Sequence, residues 1–222
     1  MAHAQLLTDA DLEARSLLLE SKPASAAVRW AVDTFGSGLV LLASMGDAVL
    51  IDVALGVAPD IEVAFLDTQY HFDETLRTVA RVEEKYGITV NVLRPDLPLD
   101  DLWKTDTDAC CAARKVKPLD DLLATHTAWL SGLRRTDSTV RAGTPIVGRD
   151  RRGVVKINPI ATWTDADVDG YIADHDVPVN PLIAQGYASV GCWPCTQKVV
   201  LGADPRSGRW VGTDKTECGL HL

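Results

Sequence analysis

Short apolar runs alternate with longer amphipathic stretches along the first half of the chain. Residues 39–43 are continuously apolar, which is typical of a strand buried on both faces, and a second strand is predicted over residues 61–66. Residues 48–57 between them predict a helix. A helix with charged faces is predicted over residues 72–86, followed by a β-branched strand over residues 88–93.

The second half continues this pattern and then loses it. Strands are predicted over residues 127–131 and 154–157, and a helix begins after the N-cap residue Thr164. From Pro178 onward Pro and Gly become frequent, which indicates loops and turns. Repeated strand–helix–strand units predict an α/β fold, with a mainly parallel sheet and helices on both faces. We expect one domain over residues 1–200 and a C-terminal tail over residues 201–222.

Charge is unevenly distributed along the 222 residues. The net charge is −9, and residues 1–109 carry 8 Lys and Arg against 19 Asp and Glu, whereas the remainder carries 14 against 12. This acidic balance disfavours a nucleic-acid partner. Local basic groups fit a small anionic ligand better, and they include Arg114, Lys115, Lys117, Arg134, Arg135, Arg141, Arg206 and Arg209. Arg149, Arg151 and Arg152 are expected to be solvated, in a turn around Gly148 and Gly153.

Targeting features point to a reducing compartment. No apolar run reaches the ~18 residues of a membrane span, and no basic-then-apolar leader opens the chain. A cytoplasmic protein without a membrane partner is therefore expected. In that setting an odd number of cysteines suggests metal ligation or catalysis rather than disulfides.

Four of the five cysteines form two close pairs, Cys110-Cys111 and Cys192-Trp193-Pro194-Cys195. The C-x-x-C pair matches a zinc-binding turn. Adjacent cysteines suit a single ion less well, because neighbouring side chains diverge, whereas a cubane iron–sulfur cluster offers separate irons. Spacing alone leaves zinc and an iron–sulfur cluster equally open.

The fifth cysteine, Cys218, lies near the chain end beside Gly219 and close to Lys215 and His221. A thiol that is neither paired with another cysteine nor set in an apolar run is a candidate nucleophile.

Three polar turns follow predicted strands and would meet at one edge of a parallel sheet. Ser44-Met45-Gly46-Asp47 precedes a helix, where backbone amides bind phosphate, although such a turn also serves as a plain helix cap. Asp67-Thr68 offers a carboxylate and a hydroxyl to a nucleotide, with a helix cap as the alternative. Arg134-Arg135 offers bidentate recognition of phosphate or sulfate, and one of the two arginines is expected to be structural.

These segments together resemble the assimilatory adenylyl-sulfate reductases, thioredoxin-dependent enzymes of the wider phosphoadenylyl-sulfate reductase family. The resemblance extends from residue 39 to the chain end. The matching pieces are Leu66-Asp67-Thr68, Cys110-Cys111-Ala112-Ala113-Arg114-Lys115-Val116, Gly132-Leu133-Arg134-Arg135, Lys156-Ile157-Asn158-Pro159, Trp163-Thr164-Asp165-Ala166-Asp167-Val168, Asn180-Pro181-Leu182, Gly186-Tyr187, Gly191-Cys192-Trp193-Pro194-Cys195, Asp204-Pro205-Arg206-Ser207-Gly208-Arg209-Trp210 and Glu217-Cys218-Gly219-Leu220-His221.

The resemblance implies a fold, a cofactor and a substrate. The fold is that of the adenine-nucleotide alpha-hydrolases, the PP-loop type, with a C-terminal catalytic tail. One [4Fe–4S] cluster per subunit is implied, with Cys110, Cys111, Cys192 and Cys195 as ligands. The implied substrate is adenylyl sulfate, because family members with both cysteine pairs mostly reduce it. The number of subunits stays open, and a homo-oligomer is compatible with the family.

The resemblance also implies a mechanism. Cys218 attacks the sulfate sulfur, AMP leaves, and thioredoxin then releases sulfite from the S-sulfocysteine. Lys115 would lie between the cluster and the sulfate, and Arg206, Arg209 and His221 would bind the anionic substrate. Surface charge is the alternative for the two arginines. The other substrate-binding candidates are Ser44, Gly46, Asp47, Asp67, Thr68 and Arg134.

Two departures and three alternatives accompany this interpretation. The loop Ser44–Asp47 lacks the doubled glycines of the general pyrophosphatase loop, and the stretch between Leu93 and Cys110 is shorter than in the family. The alternatives are a 3′-phosphoadenylyl-sulfate reductase, a non-catalytic nucleotide-binding iron–sulfur redox sensor, and an RNA-thiolating enzyme of the PP-loop type. A non-catalytic sensor has no need of a mobile terminal thiol, which disfavours that alternative. The acidic charge and the altered loop disfavour RNA thiolation.

Overall fold

The structure is a computed structural model that describes residues 7–200 and 202–221. The chain divides into two compact units that are interleaved along the sequence. The first unit comprises Met1–Ala43, Ala48–Ala64 and Leu123–Val177, and the second comprises Ser44–Asp47, Phe65–Leu122 and Pro178–Leu222. Residues 202–221 thus belong to the same unit as residues 65–122. The boundary after residue 200 stays a prediction.

Six strands form one sheet in the order β3-β2-β1-β4-β6-β5. Strand β1 pairs with β4 in parallel, β4 pairs with β6 in parallel, and β5 pairs with β6 antiparallel. The prediction of a mainly parallel α/β sheet is therefore confirmed. The strands are β1 Leu39–Ala43, β2 Glu62–Leu66, β3 Asn91–Leu93, β4 Ala128–Ser131, β5 Val147–Arg149 and β6 Val155–Ile157.

Nine α-helical segments are assigned within the described residues. They are α1 Asp9–Leu19, α2 Ala24–Phe35, α3 Val49–Leu55, α4 Asp73–Tyr86, α5 Leu102–Thr105, α6 Thr107–Cys111, α7 Lys117–Leu123, α8 Asp165–His175 and α9 Pro181–Ala184. A π-helical turn, Ala112–Val116, joins α6 directly to α7. No helix among residues 7–200 and 202–221 is long and apolar enough to cross a membrane.

The core of the first unit lies on its parallel strands. Val40 on β1 is in register with Trp129 on β4, and Trp129 is in register with Lys156 on β6. Val40 and Trp129 are completely buried. Helix α2 packs against β1, β4 and β6 through an apolar face that includes Val28. Burial on both faces explains why these strands read as continuous apolar runs.

Helix α4 contributes the amphipathic packing of the second unit. Its buried positions Thr75, Thr78, Val79 and Val82 recur at intervals of three and four residues, so they share one face. Gly87 ends the helix with a φ of +65°, a left-handed conformation that glycine adopts without a steric penalty. The helix predicted over residues 72–86 is thus confirmed nearly to its ends.

The expectation of solvated arginines in a turn around Gly148 and Gly153 was right for the exposed Arg149 and Arg151, but wrong for Arg152 and for Gly148, which lies in strand β5. Arg149 ends the edge strand β5, and its guanidinium donates to Asp9 at 2.8 Å. Arg152 is largely buried and pairs with the buried carboxylate of Asp150 at 3.1 Å. Strand β5 has only three residues and includes a glycine, so its apolar pattern was too short to indicate a strand.

Candidate active site

Four cysteines line one cavity of the second unit. Cys110 and Cys111 come from one segment of the sequence, and Cys192 and Cys195 from another. The remaining lining residues are Thr68, Tyr70, Trp103, Thr107, Arg114, Lys115 and Pro194. The structure thus brings together the two cysteine pairs that the sequence analysis grouped, and it places Lys115 beside them.

The continuous helical run over residues 107–123 positions the first cysteine pair. Asp106 caps α6 by accepting a hydrogen bond from the amide of Ala109 at 2.8 Å. Cys110 and Cys111 are buried at the end of α6, and the π-helical turn that follows contains the buried Arg114 and Lys115. Inserted π turns are frequent at functional sites. The cavity therefore receives two thiols and two cations from one short stretch of helix.

Arg114 is held by hydrogen bonds from both terminal nitrogens of its guanidinium. It is almost completely buried, donates to Asp100 at 2.9 Å and to the carbonyl of Pro98 at 2.5 Å, and also donates to Gln69. Its guanidinium lies 4.8 Å from the ring centre of Tyr70. Arg114 thus places a positive charge at the cavity and links the helical run to residues 98–100.

The C-x-x-C pair lies on a tight turn. Trp193–Cys195 forms a 3₁₀ turn, and the amide of Trp193 donates to the carbonyl of Tyr70 at 2.7 Å. The hydroxyl of Thr68 and the thiol of Cys192 form a 3.2 Å hydrogen bond. Thr68 was predicted to contact a nucleotide, and here its hydroxyl contacts a cysteine of the cavity. Its substrate role stays a prediction.

All five cysteines are free thiols. Burial raises the pKa of Cys111 to about 11, and burial also raises the pKa of Cys110 and Cys195. Within residues 7–200 and 202–221, no group of three or more His, Cys, Asp or Glu side chains is arranged to hold a single metal ion. The four thiols line the same cavity.

Lys115 is a buried cation in the wall of the cysteine cavity. Its burial opposes the charged form, but the neighbouring sulfurs of Cys192, Cys218 and Cys111 favour it more strongly and raise the pKa of Lys115 above its ordinary value. The ammonium group therefore stays charged at neutral pH, and it lies in the wall of the cavity that the four cysteines line.

The C-terminal segment that carries Cys218 has one ion pair within itself and one to α6. Arg206 pairs with Glu217 at 3.1 Å and donates to the carbonyl of Thr216 at 2.8 Å. Lys215 pairs with Asp108, at the start of α6. Cys218 itself is partly exposed, and Gly219 next to it has a φ of +83°, which only glycine adopts readily.

Trp210 lies at the centre of the basic groups in this segment. Its ring centre is 4.6 Å from the Arg209 guanidinium, 5.6 Å from that of Arg206 and 5.8 Å from the Lys215 ammonium. The amide of Trp210 donates to the carbonyl of Cys195 at 3.0 Å. Arg209 is buried and donates to Ser189 at 3.4 Å. The structure thus gathers the predicted anion-binding arginines beside the C-x-x-C turn.

The loop Ser44–Asp47 is shaped by a single buried amide side chain. Asn180 donates from its backbone to the carbonyl of Gly46 at 2.9 Å and from its side chain to the carbonyl of Met45 at 3.1 Å. Met45 has a φ of +60°, so the loop turns sharply there. A Cβ atom added at Gly46 would meet no atom within 4 Å, so a ligand has room to approach. Ser44 and Asp47 are exposed.

Three other residues were predicted to bind substrate, and the structure describes the surroundings of each. Asp67 is buried and accepts from Arg94 at 2.5 Å and from the amide of Gln69 at 2.8 Å. Arg134 lies in the first unit, where it pairs with Asp137 at 3.0 Å and with Asp165 at 2.8 Å. His221 is partly exposed, three residues after Cys218. Their contact with substrate stays a prediction.

Several residues at the site were not singled out for these roles. They are Tyr70 and Trp103 in the cavity wall, Asn180 under the loop, and Glu217 on Arg206. Asn180 and Glu217 belong to the motif pieces quoted above, which was the only signal that pointed to them. Their partners are distant in sequence, so periodicity and spacing carry no information about them.

Comparison with known families gives a match over most of the chain. Residues 38–198 match the phosphoadenosine phosphosulfate reductase domain. A relative in Streptomyces coelicolor, named adenosine 5′-phosphosulfate reductase, is 48% identical over 212 residues, covering 91% of this chain and 90% of the relative. A protein of the same name in Mycobacterium tuberculosis is 44% identical over 229 residues, with the same coverage.

Solved structures agree with the fold. Phosphoadenylyl-sulfate reductase from Candida auris, solved as a phosphate complex, superposes with a TM-score of 0.75 at 27% identity, covering 87% of this chain and 98% of that one. An FMN adenylyltransferase from Candida glabrata superposes with a TM-score of 0.61 at 12% identity, covering 89% and 70%, which supports the fold alone. The expected adenine-nucleotide alpha-hydrolase-like fold is confirmed, and the chain belongs to the phosphoadenosine phosphosulfate reductase family.

Proposed function

We propose that this protein reduces adenosine 5′-phosphosulfate to sulfite and AMP, with Cys218 as the nucleophile and thioredoxin as the electron donor. The observation that carries the proposal is the cavity in which the buried Lys115 lies with four cysteines, in the same unit as Cys218. The names of the curated relatives agree with this reaction. A cytoplasmic location follows from the reducing partner.

Anionic substrate is bound by the basic groups of the second unit. Arg206, Arg209 and Lys115 would contact the phosphosulfate, because all three are positioned around the C-terminal segment and the cavity. The open surface at Gly46, with the neighbouring Ser44 and Asp47, would accept the nucleotide. Asp67, Thr68 and His221, in the same unit, complete the proposed set of binding residues. Arg134 lies in the first unit, and its contact with substrate stays a prediction.

The first chemical step forms a bond between the Cys218 sulfur and the sulfate sulfur. The bond between that sulfur and the phosphate oxygen breaks, and AMP leaves with both electrons of the bond. Positive charge from Arg206, Arg209 and Lys115 stabilises the charge that develops on the leaving phosphate and the sulfonate oxygens. The product is an S-sulfocysteine at Cys218.

The second step returns the enzyme to its starting state. A thioredoxin thiolate attacks the Cys218 sulfur, and sulfite leaves with the electron pair of the sulfur–sulfur bond. The second thioredoxin thiol then attacks the mixed disulfide and releases Cys218 as a thiol. Two electrons pass from the thioredoxin dithiol to sulfur, which changes from the sulfate to the sulfite oxidation state.

A [4Fe–4S] cluster is the cofactor that best fits the cysteine cavity. Four free thiols line the cavity, and two of them belong to adjacent residues, whose side chains bind separate irons of a cubane more readily than a single zinc ion. Cys110, Cys111, Cys192 and Cys195 would be its ligands. Arg114 and Lys115 would offset its negative charge. When bound, the cluster supplies a local negative charge that orients these cations.

The proposal is tested by anaerobic steady-state assays of sulfite release with thioredoxin. We expect a higher kcat/KM for adenosine 5′-phosphosulfate than for its 3′-phosphorylated form, and loss of sulfite release in Cys218→Ser by at least about a thousandfold. A higher kcat/KM for the 3′-phosphorylated form would make the chain a reductase of that compound. Sulfite release by Cys218→Ser would refute the assignment of the nucleophile.

A further inference from the structure

The anion site at Arg206 contains a carboxylate from the protein's own tail. Arg206 pairs with Glu217 at 3.1 Å, and both side chains are largely buried, at 13% and 6% exposure. The same guanidinium donates to the carbonyl of Thr216 at 2.8 Å. One arginine thus binds the two residues that directly precede Cys218.

Glu217 has the chemistry of the ligand that Arg206 is proposed to bind. A carboxylate and a phosphate or sulfate group both offer oxygen pairs that match the donor geometry of a guanidinium. The Arg206 guanidinium also lies 5.6 Å from the ring centre of Trp210, so one side of it is covered. A substrate oxyanion and the Glu217 carboxylate would therefore compete for the same donors.

We propose that Glu217 is an internal competitor for the anion site of Arg206, and that the same ion pair restrains the Cys218 segment until an anionic substrate replaces the carboxylate. This rests on the proposed function, in which Arg206 binds the phosphosulfate. Only the fraction of molecules with the pair open binds substrate at Arg206, so the apparent Kd rises as that fraction falls. Glu217 thus sets both substrate affinity and the accessibility of the nucleophile.

The first arm of the test measures affinity for AMP, the probe ligand, in the holoprotein. Glu217→Gln should bind AMP about five- to thirtyfold more tightly than the wild type, because the substitution removes the state in which the carboxylate occupies Arg206. Glu217→Asp, which keeps the charge, should lie closer to the wild type. Glu20→Gln is the matched control, because Glu20 pairs with Arg135 at 2.6 Å in the first unit. It should leave AMP affinity unchanged.

The second arm measures the iodoacetamide labelling rate of Cys218 without any ligand. Trypsin cleaves after Lys215, so isotope-coded labelling can be read on the peptide of residues 216–222 apart from the other cysteines. Glu217→Gln and Arg206→Gln each break the ion pair. Both should therefore increase the labelling rate of Cys218 by about the same factor by which Glu217→Gln increases the affinity for AMP. A purely electrostatic effect on the thiol would change the two rates in opposite directions, because the two substitutions remove opposite charges.

The outcomes separate the two proposals. AMP affinity in Glu217→Gln at or below that of the wild type, or opposite changes in labelling for Glu217→Gln and Arg206→Gln, would overturn the role of Glu217. If Glu217→Gln fails to fold, Glu217→Asp and Arg206→Gln still provide the labelling comparison, with both expected to be faster than wild type. A wild-type protein that binds AMP but releases no sulfite would refute the proposed function and leave this test interpretable.

Discussion

At the scale of single residues, chemistry at this site depends on charges that are buried beside sulfur. Burial opposes the charged form of Lys115, but the electrostatic effect of Cys192, Cys218 and Cys111 raises its pKa above the ordinary value, and Lys115 lies in the wall of the cysteine cavity. An ammonium held in such a place costs no reorganisation when negative charge develops on a substrate. We infer that the Lys115 ammonium stabilises the transition state of the reaction more than it stabilises the folded protein.

Substitution of Lys115 tests this role. Lys115→Gln should lower kcat for sulfite release by about a hundred- to a thousandfold, the usual effect of removing one preorganised electrostatic contact. Lys117→Gln is the matched control: Lys117 lies two residues away, is mostly exposed, and pairs with Asp121 within α7. It should change kcat by less than about twofold. Equal effects of the two substitutions would refute a specific role for Lys115.

The residue scale also shows what the sequence could and could not predict. The cysteine pairs were grouped correctly from spacing, because a tight turn and a helix end each bring two thiols together locally. Thr68 was predicted to contact a nucleotide, which stays a prediction, and its contact with Cys192 was not foreseen. That contact joins residues 124 positions apart, and no local pattern encodes such a pairing.

At the scale of helices and strands, apolar runs and helix caps determined which elements could be predicted from the sequence. Strands β1, β2 and β4 and helix α4 were predicted close to their observed bounds, because each has the periodicity of its burial. The π-helical turn at Ala112–Val116 was not predicted, since apolar periodicity does not specify which backbone hydrogen bonds form. That turn directs Arg114 and Lys115 into the site, so it has functional consequences.

Loop Ser44–Asp47 provides a prediction at this scale. Asn180→Ala removes the side-chain donor to the Met45 carbonyl and to Thr75, so it should cost about 1–3 kcal/mol of unfolding free energy and weaken AMP binding. Urea unfolding and AMP titration are the measurements.

The matched control for Asn180→Ala is Thr8→Ala, which removes the N-cap of α1 and should cost about 1 kcal/mol without changing AMP affinity. Unchanged AMP affinity in Asn180→Ala would show that the loop does not bind the nucleotide. Weaker AMP binding in Thr8→Ala would show that affinity follows global stability.

At the scale of the whole molecule, the proposed site belongs to one of the two compact units. The five cysteines, Lys115, Arg206 and Arg209 all lie in the second unit, whereas Arg134 lies in the first. The proposed cluster would join the helical run over residues 107–123 to the turn at Trp193–Cys195, two segments far apart in sequence. A metal group with such ligands stabilises the folded state over the unfolded state.

Removal of the cofactor should therefore lower thermal stability. Chelation of iron under anaerobic, reducing conditions should lower Tm by at least about 5 °C, since 1 kcal/mol corresponds to about 2–4 °C in a protein of this size. Cys218→Ser retains all four proposed ligands and should show the same decrease. Protein purified anaerobically with stoichiometric zinc and no iron would contradict the cluster assignment.

The proposed mechanism requires that Cys218 takes the sulfonate group from adenosine 5′-phosphosulfate. The most direct measurement is mass spectrometry of anaerobically purified protein incubated with this nucleotide in the absence of thioredoxin. We predict the addition of one SO₃ unit on the peptide that contains Cys218, release of one AMP per site, and loss of the adduct when thioredoxin is added. If the protein stays unmodified with its cofactor intact, or if the adduct lies on any other cysteine, Cys218 is not the nucleophile that accepts the sulfonate group.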